Sequence, residues 1–240
     1  MAHLQAQNLQ KQYGRKVVVA NVHLSLQQGE VIGLLGPNGA GKTTTFYMLV
    51  GIIKPNAGRI FVDDRDISHW PLHRRARYGL SYLPQESSVF QKLTVRQNLE
   101  IILEYTPLDR KRKKTKATRL LQELGIARLE HQKAVLLSGG ERRRLEIARS
   151  LIQNPKFILL DEPFAGIDPL AVDDIQSIMT DLKEKGIGVL ISDHNVRETM
   201  DICDRVYLVH EGHLILEGTP GEIAADAKAR QVYLGEGFHL

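Results

Sequence analysis

The chain has 240 residues, enough for one domain with a sizeable buried core, and its 32 Lys and Arg against 28 Asp and Glu leave a net charge of only +4. So small a basic excess implies no nucleic-acid or membrane partner by itself. A single cysteine, Cys203, excludes an intramolecular disulfide framework and suits a reducing cytosol, residues 1–14 are polar, and no apolar run is long enough to span a bilayer, so the chain reads as neither secreted nor membrane-spanning.

Up to about Gln28, short β-like runs at 17–19 and 22–26 alternate with turn residues and predict an antiparallel layer. Residues 31–35 are a nearly all-apolar strand of the kind buried in a parallel sheet. It runs straight into Gly36, Pro37, Asn38, Gly39, Ala40, Gly41, Lys42, Thr43 and Thr44, and then into a helical stretch. That is the context of a phosphate-binding loop: glycines let successive backbone N–H groups face an anion, and the helix presents its positive dipole end to the same anion. Lys42 is then placed against the β- and γ-phosphates of a nucleotide, with the Thr43 hydroxyl on magnesium. A dinucleotide fingerprint does not fit, because G-x-G-x-x-G spacing is absent.

A second apolar strand at 79–83 leads to Gln85. From about 88 to 136 the strands stop and helical periodicity takes over (Val95, Leu99, Ile102, Leu103; Leu120, Leu121, Leu124), predicting a helical lobe inserted into the sheet domain. Its basic run, 110–114 with Lys116 and Arg119, has no interleaved aromatics and reads as a solvated helix start rather than a nucleic-acid surface. Leu137, Ser138, Gly139, Gly140 and Glu141 form another glycine turn, with Ser138 as a helix N-cap. A strand at 157–160 runs into Asp161 and Glu162, where one carboxylate can hold magnesium and its neighbour can polarise an attacking water. Strands at 187–192, 205–209 and 214–217 follow, with His194 after the first of them. The chain closes on Gly218-Thr219-Pro220 and a final helix to about Tyr233.

In that order and with those flanks, the three motifs resemble an ATP-binding-cassette (ABC) ATPase over essentially the whole chain. The resemblance implies an α/β P-loop NTPase core with a mostly parallel sheet, an N-terminal antiparallel β layer and an inserted α-helical lobe. It implies one domain, with the core at about 1–87 and 155–240 and the lobe at about 88–154. ATP and Mg2+ are the implied cofactors. Glu162 matches the general base, His194 the switch histidine, and Gln85 the Q-loop glutamine that touches magnesium or the attacking water. Thr43 and Asp161 complete the metal side, Asp161 through water. Tyr13 matches the aromatic that stacks on adenine, and 166–168 the D-loop. Ser138, Gly139 and Gly140 cap the γ-phosphate held by a second subunit, so the implied site is completed in a homodimer. Glu141 stands where the family usually has Gln.

More narrowly, 41–51 (GKTTTFYMLVG), 138–149 (SGGERRRLEIAR), 161–169 (DEPFAGIDP), 193–199 (DHNVRET) and 233–240 (YLGEGFHL) resemble the ATPase subunits of bacterial lipopolysaccharide export transporters. That likeness implies a chain peripheral to the cytoplasmic face of the inner membrane. Its implied partners are the permease subunits LptF and LptG, with LptC, reached through the Gln85 loop and Phe90, and it never touches the transported molecule. For Phe90 the competing reading is a buried core residue. An ATPase of branched-chain amino-acid import shares the style of the C-terminal region, but 193–199 and the ending 237–240 favour export. An ABC protein acting on nucleic acid or the ribosome is disfavoured, because the chain has neither a long coiled coil nor a second cassette. Glu162 and His194 argue against a switch without turnover.

Overall fold

Val31–Leu35, Phe157–Asp161 and Gly188–Ser192 are buried along their whole length, as strands must be when a parallel sheet is covered on both faces. The computed structural model describes residues 1–238 and 240. In chain order its main elements are β1 (His3–Tyr13), β2 (Lys16–Gln27), β3 (Val31–Leu35), α1 (Lys42–Val50), β4 (Ala57–Val62), β5 (Arg65–Asp66), α2 (Leu72–Arg77), β6 (Leu80–Leu83), α3 (Val95–Leu103), α4 (Arg110–Glu123), α5 (Gly139–Ser150), β7 (Phe157–Asp161), α6 (Pro169–Glu184), β8 (Gly188–Ser192), α7 (Val196–Met200), β9 (Arg205–His210), β10 (His213–Gly218) and α8 (Pro220–Ala225).

The strands form one ten-stranded mixed sheet in the order β5-β4-β1-β2-β10-β9-β3-β8-β7-β6. From β9 to β6 every neighbour is parallel. The N-terminal layer is antiparallel and joins the rest through one parallel bridge, His213 to Asn21. Side chains alternate across the parallel part. Val31, Leu160 and Val189 enter a core shared with Leu99, Leu121 and Leu145 of the helical segment. Ile32, Leu159 and Leu190 face Phe46 and Leu49 of α1 and the antiparallel layer.

Three details depart from the sequence reading. The short runs at 17–26 are parts of one long strand, β2, whose alternation is disguised by register shifts opposite Ala6 to Gln12. The expected final helix is broken at Asp226, whose extended backbone ends α8 and whose carboxylate accepts from Ala229 N at 2.8 Å to start a new turn. The sequence pattern predicts no element at 57–77. These residues supply β4, β5 and α2, from which the buried Arg75 donates to Met48 O at 2.7 Å and to Leu49 O at 2.5 Å, closing the C-terminus of α1. The ending 237–240 includes His239, which lies outside the described residues.

Candidate nucleotide-hydrolysis site

The carboxyl ends of β3, β6, β7 and β8 open on the same side of the parallel sheet, and each carries a residue singled out by the sequence. After β3 the chain turns at Gly36 (φ +149°), where a Cβ would lie 2.0 Å from Val209 O of β9. It turns again at Gly41 (φ +102°), where a Cβ would lie 2.7 Å from Val18 O of β2. Any side chain at either position would push the loop off its neighbours. Ala40 N donates to Pro37 O at 3.2 Å, and Gly212 N to Ala40 O at 3.0 Å, which fixes the loop against the turn between β9 and β10.

Lys42 opens α1 yet folds back into the loop, its Nζ donating to Gly36 O at 2.6 Å and Pro37 O at 3.1 Å. Burial lowers the pKa of this ammonium, and the facing carboxylates of Glu162, Asp161 and Asp193 oppose that shift. A cation held by carbonyls inside a ring of backbone, at the start of a helix, suits an entering phosphate anion. Thr43 is exposed and Thr44 half-buried at the same helix start, with Asn38 and Gly39 exposed on the rim. Tyr13, at the end of β1, is half exposed, its ring 5.3 Å from the Lys11 ammonium.

β7 delivers two carboxylates to different environments. Asp161 is buried; its Oδ2 accepts from the Tyr82 hydroxyl of β6 at 3.4 Å, while Oδ1 has no hydrogen-bond partner among the described residues. Burial, reinforced by the Glu162 charge, pushes its pKa up to about 6. Glu162 takes a left-handed backbone (φ +46°), uncommon for a residue with a side chain, and is held there by its N–H on Ser192 O at 2.6 Å. Gln85 Nε2 donates to Glu162 Oε2 at 2.7 Å, and His194 Nδ1 lies 3.4 Å from the same oxygen. Residues from three strand ends thus meet on one carboxylate oxygen.

The orphaned Asp161 Oδ1 fits a magnesium ion approached through water, and the exposed Thr43 hydroxyl fits direct coordination. Among the described residues no group of three or more His, Cys, Asp or Glu is placed to hold an ion alone.

Ser138 is the N-cap of α5. Its Oγ accepts from Glu141 N at 3.2 Å while Glu141 Oε2 accepts from Ser138 N at 3.0 Å, so the substituted Glu141 closes a capping box as Gln would. A Cβ on Gly139 would lie 2.7 Å from Gly166 O, so this turn abuts 166–168 of its own chain. Among the described residues no hydrogen bond or ion pair links Ser138, Gly139 or Gly140 to the P-loop or to Glu162.

Two groups escaped the sequence. Arg143 and Glu146 form a buried ion pair at 3.1 Å on α5. Arg143 also donates to Pro84 O and Asp161 O, both at 3.1 Å, and Glu146 Oε1 accepts from Ser87 Oγ at 2.8 Å and Ser88 N at 2.9 Å. The residues before Gln85 and Glu162 are therefore clamped to the helix that Ser138 caps. Glu146 beside Leu145, Ile147 and Ala148 was the available signal: a charge among apolar helix positions. Asn98, fully buried, holds Phe90 on both sides, accepting from its N–H at 2.8 Å and donating to its carbonyl at 3.1 Å, while the Phe90 ring remains 45 % exposed beneath the Arg149 guanidinium. The core alternative for Phe90 does not hold.

The family model for ABC transporters matches residues 19–165. The chain belongs to the ABC transporter family. A second model, the branched-chain amino acid ATP-binding cassette transporter, matches 213–239. The lipopolysaccharide export system ATP-binding protein LptB of Escherichia coli K12 is 55 % identical over 241 residues, covering 100 % of both chains. Its counterpart in Acidithiobacillus ferridurans is 54 % identical over 237 residues, 99 % of this chain and 98 % of that one. Among solved structures, the ADP conformation of the cassette MJ1267 has a TM-score of 0.89 at 30 % identity, covering 98 % of this chain and 100 % of that one. The cassette MJ0796, in a dimeric post-hydrolysis state with ADP and Pi, shares the fold at TM-score 0.79 and 23 % identity, covering 90 % of this chain and 98 % of that one. This chain is thus an ABC ATPase cassette.

Proposed function

We propose that the chain is the ATPase of a lipopolysaccharide exporter, working as an ATP-sandwiched homodimer on LptF and LptG, with LptC, at the cytoplasmic face of the bacterial inner membrane. The observation that carries this reading is the full-length identity to LptB in a chain whose Gln85, His194 and Glu162 converge on one oxygen. In this reading the core comprises about 1–87 and 155–240, and the lobe about 88–154.

Backbone N–H groups of 36 and 38–44 and the Lys42 ammonium bind the phosphates, and Tyr13 offers its exposed ring to the base. Thr43, Gln85 and Asp161 would hold the metal, Asp161 through water. Magnesium ATP, once bound, supplies the electrophilic γ-phosphorus and the divalent charge that neutralises its oxygens. Glu162 Oε2 takes the proton of the attacking water, while Gln85 and His194 orient that carboxylate. Ser138, Gly139 and Gly140 act on the nucleotide of the opposite subunit.

A branched-chain amino-acid importer is the second reading, favoured by the match at 213–239. Purifying the tagged chain from membranes in mild detergent and identifying the proteins that accompany it tests both. LptF, LptG and LptC are expected; permeases of an amino-acid importer in their place would refute the export reading.

A further inference from the structure

The geometry points to Asp193 as a positioning residue for hydrolysis: its buried carboxylate ties the turn bearing Glu162 to the loop bearing His194. This rests on the roles proposed above for those two residues. Asp193 follows β8 and is fully buried. Its Oδ2 accepts from Phe164 N at 3.0 Å and its Oδ1 from Asn195 N at 2.9 Å. Phe164 is two residues after Glu162, and Asn195 is one after His194, so the same side chain grips both functional loops. The preceding residue completes the grip, since Ser192 O accepts from Glu162 N at 2.6 Å. The left-handed turn at Glu162 is thereby held at two amides by consecutive residues of one strand end.

His194 Nδ1 lies 3.4 Å from Asp193 Oδ1 and 3.4 Å from Glu162 Oε2, between the strut and the base. The Lys42 ammonium faces the same carboxylate, so the buried acid lies beside an opposite charge. A carboxylate has an oxygen for each of the two amides. The isosteric amide of Asn would turn an NH2 toward one of them, leaving a donor facing a donor in a buried site.

The test measures kcat and KM for Mg-ATP with the purified full-length chain as wild type, Asp193→Asn, His194→Ala, Glu162→Gln and Asp193→Asn/His194→Ala. Losing one hydrogen bond to a charged group should lower kcat of Asp193→Asn about 10- to 100-fold, with KM within about twofold. Because the strut sets Glu162 and His194 relative to each other, Asp193→Asn should cost less single-turnover rate when added to His194→Ala than it costs in the wild type. A kcat within about twofold of wild type, a loss carried by KM, or a full multiplicative loss in the double variant would overturn the inference. Normal turnover by His194→Ala and Glu162→Gln would overturn the underlying site as well. Should Asp193→Asn not fold, amide hydrogen exchange of the wild-type chain decides: matched protection at Phe164 and Asn195 supports the strut, and free exchange at either refutes it.

Discussion

Phe90→Ala separates coupling from folding, and the structure sets the size of both effects. The ring is 45 % exposed in the single chain, so of the roughly 1.5–3 kcal/mol that full burial of such a side chain is worth, about 0.8–1.7 is already realised in folding. The Arg149 guanidinium, 5.0 Å from the ring centroid, adds about 0.5–1 kcal/mol. The backbone of Phe90 stays in place, because its bonds to Asn98 involve N–H and C=O and survive truncation. The isolated variant should therefore lose about 1–3 kcal/mol, against about 3–5 for a core phenylalanine, and retain normal ATP affinity. The exposed remainder, about 0.7–1.4 kcal/mol, would be gained if a membrane subunit covers it as the proposed function requires. Two copies in the proposed dimer would then weaken assembly by about 10- to 100-fold. Val135 and Leu136, also exposed, extend this apolar surface, since Val135 N bonds Gln91 O at 3.1 Å. Thermal melting, nucleotide binding and a pull-down of LptF and LptG on one preparation provide the assay. A core-sized fall in stability with normal assembly of the surviving protein would refute the reasoning.

Glu162→Gln with ATP should run as a dimer on size exclusion, and adding Ser138→Arg should return it to monomer; a persisting dimer would remove the composite site. Asp161, held near 6, should give kcat/KM for Mg-ATP an acid limb with a midpoint near pH 6, because the protonated acid cannot serve the metal; a flat profile down to pH 5 contradicts this. The same raised pKa means that this group favours the folded, nucleotide-free chain below its ordinary 3.8 and that the contribution is lost as pH rises through about 6. Asp161→Asn should accordingly raise Tm relative to wild type at pH 8 and not at pH 4. Glu141→Gln keeps the capping box and should change stability by less than about 0.5 kcal/mol, losing only the exposed contact to Arg128. Glu141→Ala should cost about 1 kcal/mol, or about 2–4 °C in Tm.

The phosphate loop and the acidic strand end were legible because their chemistry restricts residue type and spacing at once: glycine where a Cβ would strike Val209 O or Val18 O, and paired carboxylates at the end of a buried strand. Gln85 and His194 were legible only by family position. Nothing local distinguishes a glutamine after a proline, and their meeting at Glu162 depends on the order in which β6, β7 and β8 lie in the sheet. Asp193, Arg143, Glu146, Asn98 and Arg75 were not legible in any role. Each is a buried polar residue whose function is to satisfy backbone groups brought from elsewhere, and that need exists only in the folded chain. β2 reads as two pieces because its register shifts break the alternation that reveals a strand.

The most direct test reconstitutes the chain with LptF, LptG and LptC in liposomes loaded with lipopolysaccharide and follows its extraction to an acceptor with and without ATP. ATP-dependent extraction is predicted for the wild type, with Glu162→Gln assembling normally but losing turnover by about 10²–10⁴-fold and extraction with it. A chain that assembles yet extracts lipopolysaccharide equally well without ATP, or with Glu162→Gln in place, would contradict the account.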